Sequence, residues 1–314
     1  MDGILIVDKP AGLTSHDVVA RVRRILRERR IGHTGTLDPF ATGVLVVLVG
    51  RATRLAQFLS GALKEYEAVI RFGYATETGD GTGVVRPETK ARESSQEFAA
   101  SWDAARIEAA LAGLRGEIEQ LPPMYSAKKV KGKKLYELAR RGVEIERAAV
   151  RVTVHEFDAI EHEGALVRHN ADGTCDLSAR VVCSAGTYIR ALAESLGERL
   201  GVAAHLDALR RTRAGDFRVA DARTLEKLEE MAQADEANGA LLSPRAALSA
   251  LPSVHLTDEH ARQTRHGASV SVDENWLDGQ LVQMCDGAGG LIAIGAYAEE
   301  QQVLRPRVVL SPEE

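Results

Sequence analysis

KEYEAVIRFGYATETGD, residues 64–80, holds the clearest periodicity in the chain: Tyr66, Ala68, Ile70 and Phe72 fall on one side, Glu67, Val69 and Arg71 on the other. Strict alternation predicts a half-buried β-strand. The strand runs out in TETGDGTG (76–83), a turn-rich loop. Leu177, Ala179, Val181 and Cys183 alternate in the same way and predict a second strand.

Outward from these, GILIVD (3–8) reads as a short buried strand stopped by Lys9-Pro10 and Gly12. Thr14 and Asp17 have capping-box spacing, and the helix they start places Val18, Val22, Ile25 and Leu26 on one face. Val44–Val49 is uninterruptedly apolar, and 51–63 predicts an amphipathic helix. Residues 88–104 read as a polar surface excursion into a helix near 105–113. LPPMYSAKKVKGKKLYELARRGVEIER (121–147) predicts a lysine-rich mobile loop before a short helix. SAGTYIR (184–190) turns into a helix carrying Ile189, Leu192, Leu196 and Leu200. Residues 221–248 read as an acidic helical linker, and LPSVHL (251–256) opens a last unit of short strands ending in RPRVVL (305–310). Strands and helices do not alternate regularly enough for a parallel sheet. The expected fold is α+β, with a mixed, largely antiparallel sheet in residues 1–248 and a small β-rich unit in 249–314.

The 314 residues are 45% hydrophobic and 27% charged, ordinary proportions for a globular chain with room for two units. No stretch approaches the roughly 20 apolar residues of a membrane helix, and residues 1–8 lack the features of a signal peptide. Cys175, Cys183 and Cys285 show no CxxC spacing, which points to a reducing compartment and away from zinc. The net charge of −5 hides segregation. RVRRILRERR (21–30) holds six arginines, KKVKGKK (128–134) five lysines and RRTR (210–213) three arginines. Local patches of this kind, and not the sum, set the field that a polyanion meets.

Nucleotide cradles, zinc motifs and nucleophile elbows have no match in this sequence. What remains is GHTGTLDPFATGVL (32–45), in which Asp38 is the lone acid. Asp-Pro is an ordinary turn dipeptide. A carboxylate ionised at neutral pH is also a competent nucleophile at carbon. The residues alone leave both readings open.

GHTGTLDPFATGVL closely resembles the catalytic motif of the TruB family of pseudouridine synthases, which isomerise uridine in the T loop of tRNA. The resemblance runs in order through nearly the whole chain. DGILIVDKPAGLTSHDVV (2–19) is similar to the family's Lys-Pro motif, and KEYEAVIRFGYATETGD to its tyrosine motif. PPMYSAKKVKGKKLYELARRG (122–142) resembles its RNA-gripping insertion, CSAGTYIRALAESLG (183–197) its Tyr-x-Arg motif and AHLDALRRTRAGDF (204–217) its leucine motif. Residues 251–310 resemble a PUA-type RNA-binding domain. Phe40 stands where the family more often has leucine, implying altered packing beneath Asp38.

The resemblance implies that Asp38 is the nucleophile, attacking C1′ or C6 of a flipped uridine, without cofactor or metal. It implies that Tyr66 stacks on the base, that Arg190 pairs with Asp38, that Tyr188 lines the pocket and that Leu209 lids it. His33 is placed against the RNA, and Lys9 and Pro10 support the site. Lys128, Lys129 and Lys131, with Arg210–Arg213, are expected to meet phosphates. A base taken out of its stack needs an aromatic platform and apolar walls, and the motif residues supply both. The expected protein is a cytoplasmic monomer whose partner is the tRNA T-arm. One rival is an RNA-binding or tRNA-folding protein that keeps this fold for docking. A carboxylate-dependent hydrolase is disfavoured because the sequence shows no second acid near Asp38.

Overall fold

The computed structural model describes residues 1–89, 102–126, 128–130, 132–139, 141–143 and 145–310. Its strands are β1 (Gly3–Lys9), β2 (Ile31–Thr34), β3 (Thr42–Val49), β4 (Lys64–Phe72), β5 (Gly116–Gln120), β6 (Lys129–Val130), β7 (Lys133–Lys134), β8 (Val150–Ile160) and β9 (Val167–His169). They continue with β10 (Cys175–Cys183), β11 (Ala204–Ala214), β12 (Phe217–Arg218), β13 (Ser253–His255), β14 (Val270–Ser271), β15 (Leu281–Cys285), β16 (Leu291–Ala298) and β17 (Val303–Val309).

One ten-stranded sheet runs β1-β3-β11-β4-β10-β8-β5, with β2 beside β3, β12 beside β11 and β9 beside β10. Its pairs are antiparallel except β3 with β11, which are parallel where Thr42 faces Arg210 and Gly43 faces Arg211. The alternating stretch is β4, at the centre of the sheet, and Tyr66, Ala68, Ile70 and Phe72 are all buried. They pack with Leu177, Ala179, Val181 and Cys183 of β10 and with Leu192, Leu196 and Leu200 of the helix Ile189–Leu200. From Val44 on, β3 is apolar because both of its faces are covered. Val44, Val46 and Leu48 pack with Ile4 and Ile6, while Leu45, Val47 and Val49 meet Leu5, Val7 and the helix Ser15–Leu26. That helix starts at the expected capping box, Thr14 and Asp17 bonding reciprocally.

Three expectations change. The helix expected over 51–63 is a 3-10 turn, Gly50–Leu55, followed by the short α-turn Ala56–Leu59. The acidic stretch 221–248 is no linker: Leu225 and Leu228 are buried against the β1–β3 layer, and backbone bridges join Leu242 to Ile4 and Arg223 to Val7. Its acids masked an apolar pair at i, i+3 on the helix Leu225–Gln233, whose Glu226 and Glu229 neutralise Arg21. The lysine-rich segment forms the β6–β7 hairpin and the helix Leu135–Ala139, seated by the buried Leu135. Most of the polar excursion at 88–104 lies outside the described residues.

A second, five-stranded sheet follows in the order β13-β15-β16-β17-β14, with the helix Asp258–Arg265 packed beside it. It has its own core around Val282, Met284, Ile292 and Tyr297. Its Ile294 and Leu310 also join the cluster that holds Ile4 and Val46. Gln283 Nε2 donates to Leu248 O at 2.9 Å and ties the two sheets together through the chain between them.

Candidate active site at Asp38

The loop between β2 and β3 is fixed before it reaches Asp38. Ser15, at the start of the first helix, accepts from Leu37 N at 2.9 Å and donates to Leu37 O at 3.2 Å. Lys9, fully buried, donates to the carbonyls of Pro10, Leu13 and Pro39 at 2.9, 2.7 and 3.1 Å. Gly12 N also donates to Pro39 O, so the Lys-Pro turn clamps the Asp-Pro turn. Burial brings the Lys9 ammonium down to about 8, against the pull of Asp38. Asp38 is then the carboxylate that projects from an immobilised loop.

Its partner is Arg190, in the first turn of the helix Ile189–Leu200 and 5% exposed. Arg190 Nε lies 3.0 Å from Asp38 Oδ2, and Nη2 donates to Asp38 Oδ1 at 3.3 Å. The same guanidinium donates to Thr78 O at 2.6 Å and Tyr125 O at 2.7 Å. Its Nη1 lies 3.7 Å from Asp80 Oδ2. Asp80 is thus a second acid near Asp38, placed by the loop after β4 and saturated by Thr78 and Thr82. Burial pushes the Asp38 carboxyl above its ordinary value; Arg190 opposes the rise and Asp80 adds to it.

Asp38 opens on a cleft of about 270 Å³. Tyr66 from β4, Leu209 from β11, Tyr188 and Arg190 line it, with Lys128 from the basic segment. Burial raises the Tyr66 phenol, while Arg211 draws it down. Tyr188 is fixed through its backbone, its N–H donating to Gln120 Oε1 at 2.9 Å and its carbonyl accepting from Gln120 Nε2 at 3.3 Å. A carboxylate paired with a guanidinium, a tyrosine ring and an apolar leucine share one cleft.

Compared with known families, residues 23–189 match the TruB family pseudouridylate synthase N-terminal domain. Residues 190–249 match the tRNA pseudouridylate synthase B C-terminal domain, and 252–310 the C-terminal domain of pseudouridine synthase II TruB. A relative in Geobacillus thermodenitrificans, tRNA pseudouridine synthase B, is 47% identical over 270 residues, 85% of each chain. The like-named protein of Solibacter usitatus is 42% identical over 297 residues, 94% of this chain and 95% of its own. The chain belongs to the TruB family. Among solved structures, a Cbf5-Nop10-Gar1 complex contains a chain 28% identical with a TM-score of 0.71, covering 99% of this chain and 85% of that one. An H/ACA RNP bound to a substrate RNA containing 2′-deoxyuridine gives 26% identity and a TM-score of 0.70 over the same shares.

Against this TruB-family geometry, the residues singled out in the sequence separate into groups. Asp38, Tyr66, Tyr188, Arg190, Leu209 and Lys128 meet at the cleft. Lys9 and Pro10 stand beneath the site: the Lys9 ammonium lies under the Asp38 loop with carbonyl acceptors around it, and neither residue lines the cleft. His33 lies on β2 off the cleft, edge-on to His16 with ring centres 5.5 Å apart. Burial and the neighbouring His16 and Arg211 bring it down to about 4. Lys129 is in the hairpin, and Lys131 lies outside the described residues.

In the RRTR patch each arginine already has a place. Arg210 pairs with Asp8 at 2.7 Å, Arg213 with Glu65 at 3.1 Å, and Arg211 is buried beneath the cleft. Strand alternation and cross-strand acids consumed charges that composition had counted as a phosphate patch. Asp80, Lys64 and Arg211 were missed. Asp80 sat inside the quoted tyrosine motif, and Lys64 shares the face of Tyr66 at spacing two.

Proposed function

We propose that this protein isomerises uridine 55 in the T loop of tRNA to pseudouridine. The observation that carries the reading is the Asp38–Arg190 pair opening on a cleft floored by Tyr66, in a chain of the TruB family. The cleft is on the scale of one extruded nucleoside. Stacking on Tyr66 against the apolar Leu209 compensates for unstacking the base. Asp38, aimed by its ion pair and hydrogen bond with Arg190, attacks C1′ or C6. The N1–C1′ bond breaks, the base turns, C5 bonds to C1′ as the bond to Asp38 breaks and frees its carboxylate, the C5 proton leaves and N1 takes one up. The reaction has no net redox or hydrolytic change.

Lys128, Lys129 and Lys131 are placed by the sequence to meet T-arm phosphates, and Tyr188 walls the pocket. The catalytic unit spans 1–248 with its basic insertion at 121–147, and 249–314 serves as a PUA-like RNA-binding unit. Among the described residues no helix is long and apolar enough to cross a membrane. A cytoplasmic monomer acting on tRNA is the reading that accords with the rest.

The test is a reaction with an unmodified tRNA transcript. Nucleoside chromatography and carbodiimide-dependent primer-extension stops should report one pseudouridine, in the T loop. RNA bound without new pseudouridine would favour the folding-protein rival, and cleaved RNA the hydrolase.

A further inference from the structure

The floor of the cleft holds two cations that no acid among the described residues pairs with. Lys64 and Arg211 are 4% and 1% exposed, and both line the cleft. Arg211 Nε donates to Val44 O at 2.7 Å and Nη2 to Gly35 O at 2.9 Å. Lys64 Nζ donates to Ala62 O at 2.9 Å. Among the described residues neither has a carboxylate partner within ion-pair distance, unlike Arg190, Arg210 and Arg213. Lys64 Cε and Arg211 Nη1 each lie 3.5 Å from the point that a Cβ on Gly35 would occupy, so the two side chains are neighbours. Tyr66 is on the same face of β4 as Lys64 and directly opposite Arg211 in the sheet register.

Two like charges side by side in a low-dielectric floor cost stability unless a third, opposite charge joins them. The cost is visible in Lys64, which burial and Arg211 bring down to about 8. Isomerisation, the reading this step rests on, creates such a charge on either route. Attack at C1′ breaks N1–C1′ and leaves its electron pair on the base, a monoanion shared by N1, O2 and O4. Attack at C6 bonds an Asp38 oxygen to C6 and moves the C5=C6 pair onto the C4 carbonyl as an enolate. On either route N1–C1′ breaks, C5 bonds to C1′, the bond from Asp38 to C1′ or C6 breaks and returns its electron pair to the carboxylate, the C5 proton leaves to solvent and N1 is protonated.

We infer that Lys64 and Arg211 form the anion site on which the detached base turns, donating N–H hydrogen bonds to its carbonyl oxygens. Preorganised donors of this sort are made and held before the charge develops, so they favour the transition state over the bound substrate. A phosphodiester is the other anion within the substrate. Burial of both cations in the floor favours the base edge, and the half-buried Lys128 is the cation left for phosphate.

The test compares the wild-type protein with Lys64→Met, which keeps the aliphatic stem, and Lys64→Arg, which keeps a charge. Turnover is followed by tritium release from uridine C5 in a T-arm hairpin, and affinity by filter binding. Lys64→Met should lower kcat about a hundredfold or more, with KM and Kd held within about threefold. Lys64→Arg should recover most of the loss. The groups facing Lys64 are Arg211 on β11, Cys183 on β10, Tyr66 on β4, and Asp38 and Lys128 across the cleft. Burial pushes the Cys183 thiol to about 11 and raises the Tyr66 phenol. Lys9, under the Asp38 loop, is the other lysine brought to about 8. The wild-type kcat should fall as pH rises through about 8, and that fall should shrink in Lys64→Met to what Lys9 contributes. An unchanged kcat in Lys64→Met, with or without a raised KM, would overturn the assignment. Absence of tritium release from the wild-type protein would instead sink the isomerase reading itself.

Discussion

At the scale of single residues, the site rests on one guanidinium with five oxygen partners on four residues. Arg190 holds Asp38 while its other nitrogens meet Thr78 O, Tyr125 O and Asp80. On the proposed mechanism the reaction needs the Asp38 carboxylate, so kcat/KM should fall as pH drops through a carboxyl value above the ordinary one. Arg190→Gln removes the opposing positive charge, and the acid limb should move to higher pH in a pH–rate profile. A limb that stays put would separate Arg190 from the ionisation of Asp38. His33 makes a stability prediction. Its folded value is about 4 against about 6.5 in the unfolded chain. The unfolded state therefore binds more protons between these values, and stability is lost as pH falls from about 6.5 to 4. His33→Gln should flatten that part of the curve in denaturant melts taken across the window.

At the scale of elements, the decisive contact is the short parallel join between β3 and β11. Gly43 has φ +98°, and a Cβ there would overlap the backbone of Arg211. Gly43→Ala should cost more than about 2 kcal/mol, read from the denaturant midpoint, and should lower activity because the same register sets Arg211 under the cleft. Local signals made much of this legible. The alternation of β4 and β10, the Thr14–Asp17 capping box and the continuous apolar run of β3 each have a cause within a few residues. The 225–233 helix was obscured because its charges outnumber its buried pair, and the 51–63 helix because tertiary context broke it. In the site, the motif residues were legible as positions in a resemblance. Asp80 and the buried Lys64–Arg211 pair were not, because burial and cross-strand register decide whether a charge is a surface patch or a catalytic floor.

At the scale of the whole molecule, the two sheets share apolar contacts as well as a chain. Ile294 and Leu310 of the second pack into the cluster containing Ile4, Val46 and Leu248. Ending the chain at 248 would expose that cluster and strip Leu248 O of its Gln283 donor. The truncated chain should melt earlier than the full one as well as bind T-arm RNA more weakly. An unchanged melt with weaker binding would make 249–314 an independent attachment. The account as a whole turns on Asp38 being a nucleophile and not merely the acid of an Asp-Pro turn. The most direct measurement is single-turnover tritium release from C5 of the target uridine in a T-arm hairpin, with wild-type protein and Asp38→Asn at matched RNA occupancy. The account predicts release with the wild type and none with Asp38→Asn, at an affinity within about threefold because the nucleophile adds little ground-state binding. Release at comparable rates from both proteins would contradict it.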